Sequence, residues 1–292
     1  MSKLSDRTLF WIPTLIWAST WHVILYQLDS GVPVLNSVAW RFALAALLLA
    51  ALARWQGQAL RLPASAHLLM AATGIVQYSG NYVSVYEAER HIPSGLVAVL
   101  FCLMVFVNAL SGRLFFGQTV TRRFLLAASG GVAGVVMIFW PEIAATGARP
   151  TAAYGLGLGL LAVLAACIGN VLTLTLTGRG LALVPVLAWS MGYGALFLVG
   201  ASLASGAGLH FAWQPSYLLS LLYLAVAGSV VAFVLYFKLA QRQGTARAAL
   251  TGVVIPVIAL ALSAALEGWR PTALSLAGMG LCLGSIFAAT RR

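Results

Sequence analysis

Ten apolar runs of about membrane-spanning length follow one another along this chain, with only short connections between them. They fall at 8–27, 34–53, 66–86, 94–116, 124–140, 153–176, 182–204, 216–237, 246–266 and 272–289. A hydrocarbon core about 30 Å thick needs about 20 apolar residues when they are wound as an α-helix. Inside it a backbone amide meets no water, so only an element that satisfies its own N–H and C=O groups is stable there. Charge points the same way. Asp, Glu, Lys and Arg make up 8% of the 292 residues, against about 25% in a soluble domain. The pattern predicts an all-α integral membrane protein with ten transmembrane helices and excludes a water-soluble fold. The first run follows Lys3 and Arg7, as a signal peptide would, but it is too long for a signal core and no small-residue cleavage site follows. It reads as a retained helix.

A net charge of +11 would point to nucleic acid in a soluble chain. Here the basic residues stand in ones and twos at the ends of apolar runs, which is a topology signal, so no nucleic-acid partner is expected. With the N-terminus in the cytoplasm, thirteen of the 17 Lys and Arg residues fall on the cytoplasmic side. The others are Arg41, inside the second run, and Arg90, Arg149 and Arg270. Of the acids only Asp6 lies inside, while Asp29, Glu87, Glu89, Glu142 and Glu267 lie outside, where solvent is expected to reach them. Both termini are therefore expected in the cytoplasm.

The chain also repeats. Gly130 and Gly134 correspond to Gly280 and Gly284 at an offset of 150. Residues 86–90 at the end of the third run resemble residues 238–242 at the end of the eighth. A linker at 142–152, preceded by Pro141 and containing Gly147 and Pro150, separates five runs from five. An odd number per half turns the second half over in the membrane, so residues 1–141 and 153–292 are expected to form two inverted five-helix repeats, a frequent plan for secondary transporters. The paired glycines are expected to let helices pack closely.

The stretch Gln77–Tyr86 gives the first indication of a site. Wound at about 100° per residue, Gln77, Asn81 and Ser84 form one ridge and Tyr78, Tyr82 and Tyr86 the next. Val76, Gly80 and Val83 fall opposite. An unpaired amide or hydroxyl costs several kcal/mol in hydrocarbon, so the polar face should look inward, onto other helices or onto a water-filled cavity. Interhelical hydrogen bonding alone would explain one amide; three tyrosines beside two amides fit a pathway lining. In the first run Trp17 and Trp21 share a face, and Trp17 lies about 15 Å deep at 1.5 Å per residue, below the interfacial belt where tryptophan is usually found. His22, the one histidine within the run boundaries apart from His67 at the edge of its run, is either an intramembrane functional group or a neutral partner of a neighbouring helix. Asn170 with Thr173 and Cys167, Asn108, Trp189 with Ser190 and Tyr193, and Tyr223, Ser229 and Tyr236 extend the candidate lining. Lys238 reads as a side chain snorkelling to the headgroups. Pro256 removes a backbone donor in mid-run, so a kink or hinge is expected there, with the freed carbonyl near Gly252.

Enzyme chemistry finds no support. There is no His-Glu-x-x-His, no Gly-x-Ser-x-Gly and no Walker sequence. Gly155-x-Gly157-x-Gly159 follows no predicted strand, so it is not a nucleotide fingerprint. Cys102, Cys167 and Cys282 match no metal or redox spacing. No cofactor and no metal is expected.

These parts resemble a known family. Trp17-Ala18-Ser19-Thr20-Trp21 resembles the first-helix signature of the drug/metabolite transporter superfamily, EamA type. Trp40-Arg41-Phe42 resembles the arginine that opens its second helix. Pro256, Leu266-Glu267-Gly268 and Gly278–Gly284 resemble the end of its second repeat. Within the family the chain is most similar to YddG-type exporters of aromatic and other neutral amino acids. The resemblance implies ten helices in a basket, helices 1–4 and 6–9 around a cavity with 5 and 10 as supports, and export across the inner membrane. The family often has proline in helix 4 and glutamate at its end; here those places fall near Met104 and Gln118, so a symmetric pair of hinges does not carry over. The expected function is secondary transport of amino acids out of the cytoplasm, by a monomer or weak dimer, with Trp17, Trp21, His22, Gln77, Tyr78, Asn81, Tyr82, Asn108, Asn170 and Trp189 as substrate-binding residues. A cavity without fixed charges would suit a zwitterion. The rival in the same fold is a drug or cationic-metabolite exporter working through cation–π contacts; more remote are an intramembrane enzyme and a structural subunit. With His22 the only titratable candidate, facilitated efflux without obligatory proton coupling is expected.

Overall fold

A computed structural model of the chain describes residues 4–92, 94–138, 140–146, 151–266 and 272–290. Lys3, Gly147, Arg149, Pro150, Glu267, Gly268, Arg270, Arg291 and Arg292, used above for topology, the linker and the resemblance, lie outside the described residues. All regular structure among the described residues is helical, and six stretches are long and apolar enough to cross a membrane.

The helices begin and end where local chemistry requires. Ser5 caps α1 (Asp6–Leu28), its hydroxyl accepting the Thr8 N–H at 3.2 Å. Pro33 and Pro63 precede α2 (Val34–Trp55) and α3 (Ala64–Thr73). After α3 the rod passes through a π-helical turn, Gly74–Gly80, into α4 (Asn81–Glu89). Next come α5 (Ser94–Phe101) and α6 (Met104–Phe116), which Gly117 ends in the left-handed region at φ 61°. The first half closes with α7 (Arg122–Ile138) and the short α8 (Trp140–Thr146).

Beyond the linker, α9 (Ala152–Gly178) and α10 (Leu183–Ala204) are uninterrupted. A second rod follows: α11 (Pro215–Ala225), a π-helical turn Val226–Val231, and α12 (Ala232–Gln243). Gly244, at φ 87°, separates it from α13 (Thr245–Ala249). The chain ends in α14 (Thr251–Leu266) and α15 (Ala273–Thr290).

Helix pairing surrounds a centre. α2 packs along α10, and α7 along α15. The α3–α4 rod lies on α9, the α11–α12 rod lies on α1, and α5 faces α14. The two π turns carry matching serines: Ser79 Oγ donates to Gly74 O at 3.1 Å and Ser229 Oγ to Leu224 O at 2.9 Å, each five residues back. A π turn loosens the i→i−4 ladder, and here a side-chain hydroxyl meets a carbonyl within it. Gly74 sits in its turn because α10 passes immediately beside it: a Cβ there would lie 2.6 Å from the Gly194 nitrogen.

One expectation about packing is corrected. Gly280 and Gly284 do not form the α7–α15 contact, since no atom of the described residues lies within 4 Å of a Cβ built at either. Gly134 and Gly278 form it: a Cβ on Gly134 would lie 2.7 Å from Gly278 O. The period of the glycine pattern was right on the α7 side and rotated to the wrong face of α15. The ninth run stays helical past Pro256, where a kink or hinge is expected. α14 runs through that residue, and the interruption lies at Leu250, between α13 and α14. The acceptor four residues before Pro256, Gly252 O, instead receives the Cys102 thiol at 3.4 Å.

Candidate functional site

Where α1, α2, α4, α5, α9, α12 and α14 converge, they leave a cavity of ≈ 100 Å³. That is room for a few waters and below the roughly 300–1,000 Å³ of ordinary ligand pockets, so a larger substrate requires the surrounding helices to move apart.

Six of the ten residues expected to bind substrate line it: Trp17, Trp21, Gln77, Asn81, Tyr82 and Asn170. Trp17 donates its Nε1–H to Gly228 O at 3.1 Å, in the second π turn, and its ring lies 5.3 Å from both Phe233 and Tyr236. Trp21 stands edge-on to Phe101 at 5.4 Å. Asn81 Nδ2 donates to Ala162 O at 2.7 Å, tying α4 to α9. Asn170 Nδ2 donates to Tyr236 Oη at 3.2 Å and to Asn108 Oδ1 at 3.4 Å. Several buried polar atoms here have no hydrogen-bond partner among the described residues: Trp21 Nε1, Gln77 Oε1, Asn170 Oδ1 and Asn108 Nδ2. Such orphans are rare in folded proteins and costly.

The remaining four lie elsewhere. Asn108 reaches the cavity only through Asn170; its backbone carbonyl accepts the Thr245 hydroxyl at 2.8 Å. Tyr78 is fully buried between Phe42 and Phe233, at 5.1 and 5.3 Å, and does not line the cavity. His22 is exposed on the outer face of α1, edge-on to Tyr26 at 5.7 Å. Trp189 is 37% exposed on α10, donating to Leu60 O at 2.8 Å and packing on His67 and Tyr193. The misplacements have one cause. Spacing fixes which residues share a face but not which face turns inward, and in the third run the π turn also changes the winding between Tyr78 and Tyr82.

Two expectations about charge are overturned. The cavity does hold a fixed charge, because Arg41 lines it and is 1% exposed. An arginine seven residues into an apolar run is itself the signal for an intramembrane functional group. Nor does solvent reach Glu89. Both its carboxylate oxygens are buried without a hydrogen-bond partner. Three residues past the apolar run, burial pushes its carboxyl well above the usual range, with the Arg41 charge opposing. Phe233, Phe101 and Thr20 also line it; as ordinary apolar-run residues they carry no sequence signal.

No group of His, Cys, Asp and Glu able to hold a metal ion occurs among the described residues. The lining sets aromatic faces beside polar side chains and one buried cation.

Comparison with known proteins agrees with this architecture. The model of the EamA-like transporter family matches twice, over residues 8–140 and 153–291. The "Uncharacterized inner membrane transporter YedA" of Escherichia coli (strain K12) is 26% identical over 94% of this chain and 87% of its own length. The "Probable amino-acid metabolite efflux pump" of Salmonella typhimurium (strain LT2) is 25% identical over 75% of each chain. A solved crystal structure, 17% identical, covers 99% of this chain and 98% of its own with a TM-score of 0.77, so the two share a fold. This chain is an integral membrane protein and belongs to the EamA-like transporter family.

Proposed function

We propose that the protein exports amino acids, aromatic and other neutral ones, out of the cytoplasm by alternating access across the inner membrane. The carrying observation is the cavity itself. Helices from both halves line it with tryptophan, tyrosine and phenylalanine rings that suit an apolar side chain, and with unpartnered amide oxygens that suit an ammonium group. The likeness to an efflux pump for amino-acid metabolites supports the substrate class.

In this reading ten crossings form two inverted repeats, 1–141 and 153–292, joined by an outside linker at 142–152, with both termini cytoplasmic. The paired family matches, the π turns at 74–80 and 226–231 and the Cys102–Gly252 contact at an offset of 150 support it. A fixed cation in the lining disfavours the rival substrate class of cationic drugs.

Proteoliposomes containing only this protein provide the test. Labelled neutral amino acids should exchange across the membrane and quaternary ammonium dyes should not. Dye exchange without amino-acid exchange would replace this reading by the rival.

A further inference from the structure

Among the described residues no carboxylate forms an ion pair or a hydrogen bond with the cation in the cavity. Arg41 Nε donates to Ser229 Oγ at 3.0 Å and Nη1 to Tyr86 Oη at 3.5 Å. Its guanidinium carbon lies 4.5 Å from the centre of the Tyr82 ring and 5.4 Å from that of Phe42. All four partners are neutral. Among the described residues the ion pairs are Arg90–Glu87 and Arg242–Asp6, and neither involves Arg41. Glu89 is near enough to feel its charge, yet neither carboxylate oxygen of Glu89 accepts a hydrogen bond from it or from any other group. A guanidinium has five N–H donors, and here Nη2 makes no hydrogen bond to the described protein. Beside Nη2 runs Gly228, in the second π turn, where a Cβ would come to 3.2 Å.

A buried charge is normally paired, because desolvation without a partner is expensive. An arginine oriented by a serine and a tyrosine, stacked on an aromatic face and left one charge short at a cavity wall is a site awaiting an anion. Guanidinium matches a carboxylate in shape, through two parallel N–H···O bonds. Three residues of the lining carry unpartnered polar atoms: Asn170 Oδ1, Gln77 Oε1, which lies against Gly169 of α9, and Trp21 Nε1. An ammonium is a pure donor and a carboxylate a pure acceptor, so these atoms and Arg41 together complement a zwitterion.

We propose that Arg41 is the carboxylate anchor of the transport cavity, so that the protein selects substrates carrying one free carboxylate, with Gln77 and Asn170 receiving the ammonium. This rests on the cavity being the transport site proposed above. It makes substrate choice a matter of the carboxylate first and the side chain second. Arg41 also holds the second π turn through Ser229, and a purely structural role would change stability without changing which ligand chemistry binds.

The test uses the purified full-length protein and ligand-induced shifts in melting temperature. The probes are alanine, leucine and tryptophan, each offered as the amino acid, its methyl ester, its decarboxylated amine and its deaminated acid. For the wild type, amino acids should bind at least about tenfold more tightly than the matching esters and amines. Arg41→Gln should abolish that preference, weakening carboxylates about tenfold or more while leaving amines unchanged or tighter. Arg41→Lys should retain the preference at lower affinity. If Arg41→Gln does not fold, the wild-type panel and Arg41→Lys still decide. Binding of deaminated acids but not amino acids keeps the anchor and sinks the amino-acid reading. Amines or esters binding as well as the acids, or no carboxylate binding at all, overturns the anchor.

Discussion

At the scale of single residues, tryptophans one helical turn apart on α1 have different roles. Trp17 Nε1 is hydrogen-bonded to Gly228 O at 3.1 Å, whereas Trp21 Nε1 is buried with no partner. Removing a satisfied group costs about 1 kcal/mol, but removing an unsatisfied one relieves a desolvation penalty of about 1–3 kcal/mol. Trp17→Phe should therefore lower the melting temperature. Trp21→Phe should leave it unchanged or raise it, while reducing transport at low substrate concentration. Thermal unfolding beside a flux assay reads both, and a loss of stability in Trp21→Phe would mean that its N–H is satisfied in the resting protein. Sequence reasoning found Trp17, Trp21, Gln77, Asn81, Tyr82 and Asn170 because an amide or indole deep in an apolar run needs a polar surrounding. It placed Tyr78, His22 and Trp189 in the cavity for the same reason, and they found other surroundings: an aromatic cluster, the outer face of α1 and the surface of α10. Arg41 was visible as an intramembrane charge, but its lack of an acidic partner is a fact of three-dimensional packing that no local pattern carries.

At the scale of elements, the apolar runs and the helices agree to within a few residues, because length and hydropathy alone decide where a membrane helix can lie. The π turns at 74–80 and 226–231 and the breaks at 102–103 and 250 were not legible. They arise from contacts between helices, such as Gly74 against Gly194 and the Ser79 hydroxyl on Gly194 O at 3.0 Å, not from the composition of the runs. The α7–α15 support makes the distinction measurable. Gly134→Ala places a methyl 2.7 Å from Gly278 O and should destabilise by about 1–3 kcal/mol. Gly280→Ala meets nothing within 4 Å and should stay within about 0.5 kcal/mol of wild type. Melting temperatures in detergent compare the two; equal effects would show that the helices pack on a different face.

At the scale of the whole molecule, a carrier interconverts between states in which the cavity opens to either side, and binding shifts their balance. A cavity of ≈ 100 Å³ is too small for an aromatic amino acid, so occupancy and helix movement are coupled in this account. The driving force turns on which buried group titrates. His22 lies on the outer face of α1, away from the cavity, and Glu89 is half-buried with both carboxylate oxygens covered. In proteoliposomes, facilitated efflux predicts exchange down the substrate gradient and no accumulation on an imposed pH gradient. Uphill accumulation that is lost in Glu89→Gln and kept in His22→Gln would instead make Glu89 the coupling group.

If this cavity is the path of an amino acid, filling it must stop transport. Ala166 lines it from α9 and is 3% exposed. In a protein whose Cys102, Cys167 and Cys282 have been replaced, Ala166→Cys should carry amino acids until a thiol reagent attaches a bulky group there. Flux should then stop, and saturating substrate should slow the labelling. Labelling that leaves amino-acid flux intact, or proceeds at the same rate with and without substrate, would contradict the account.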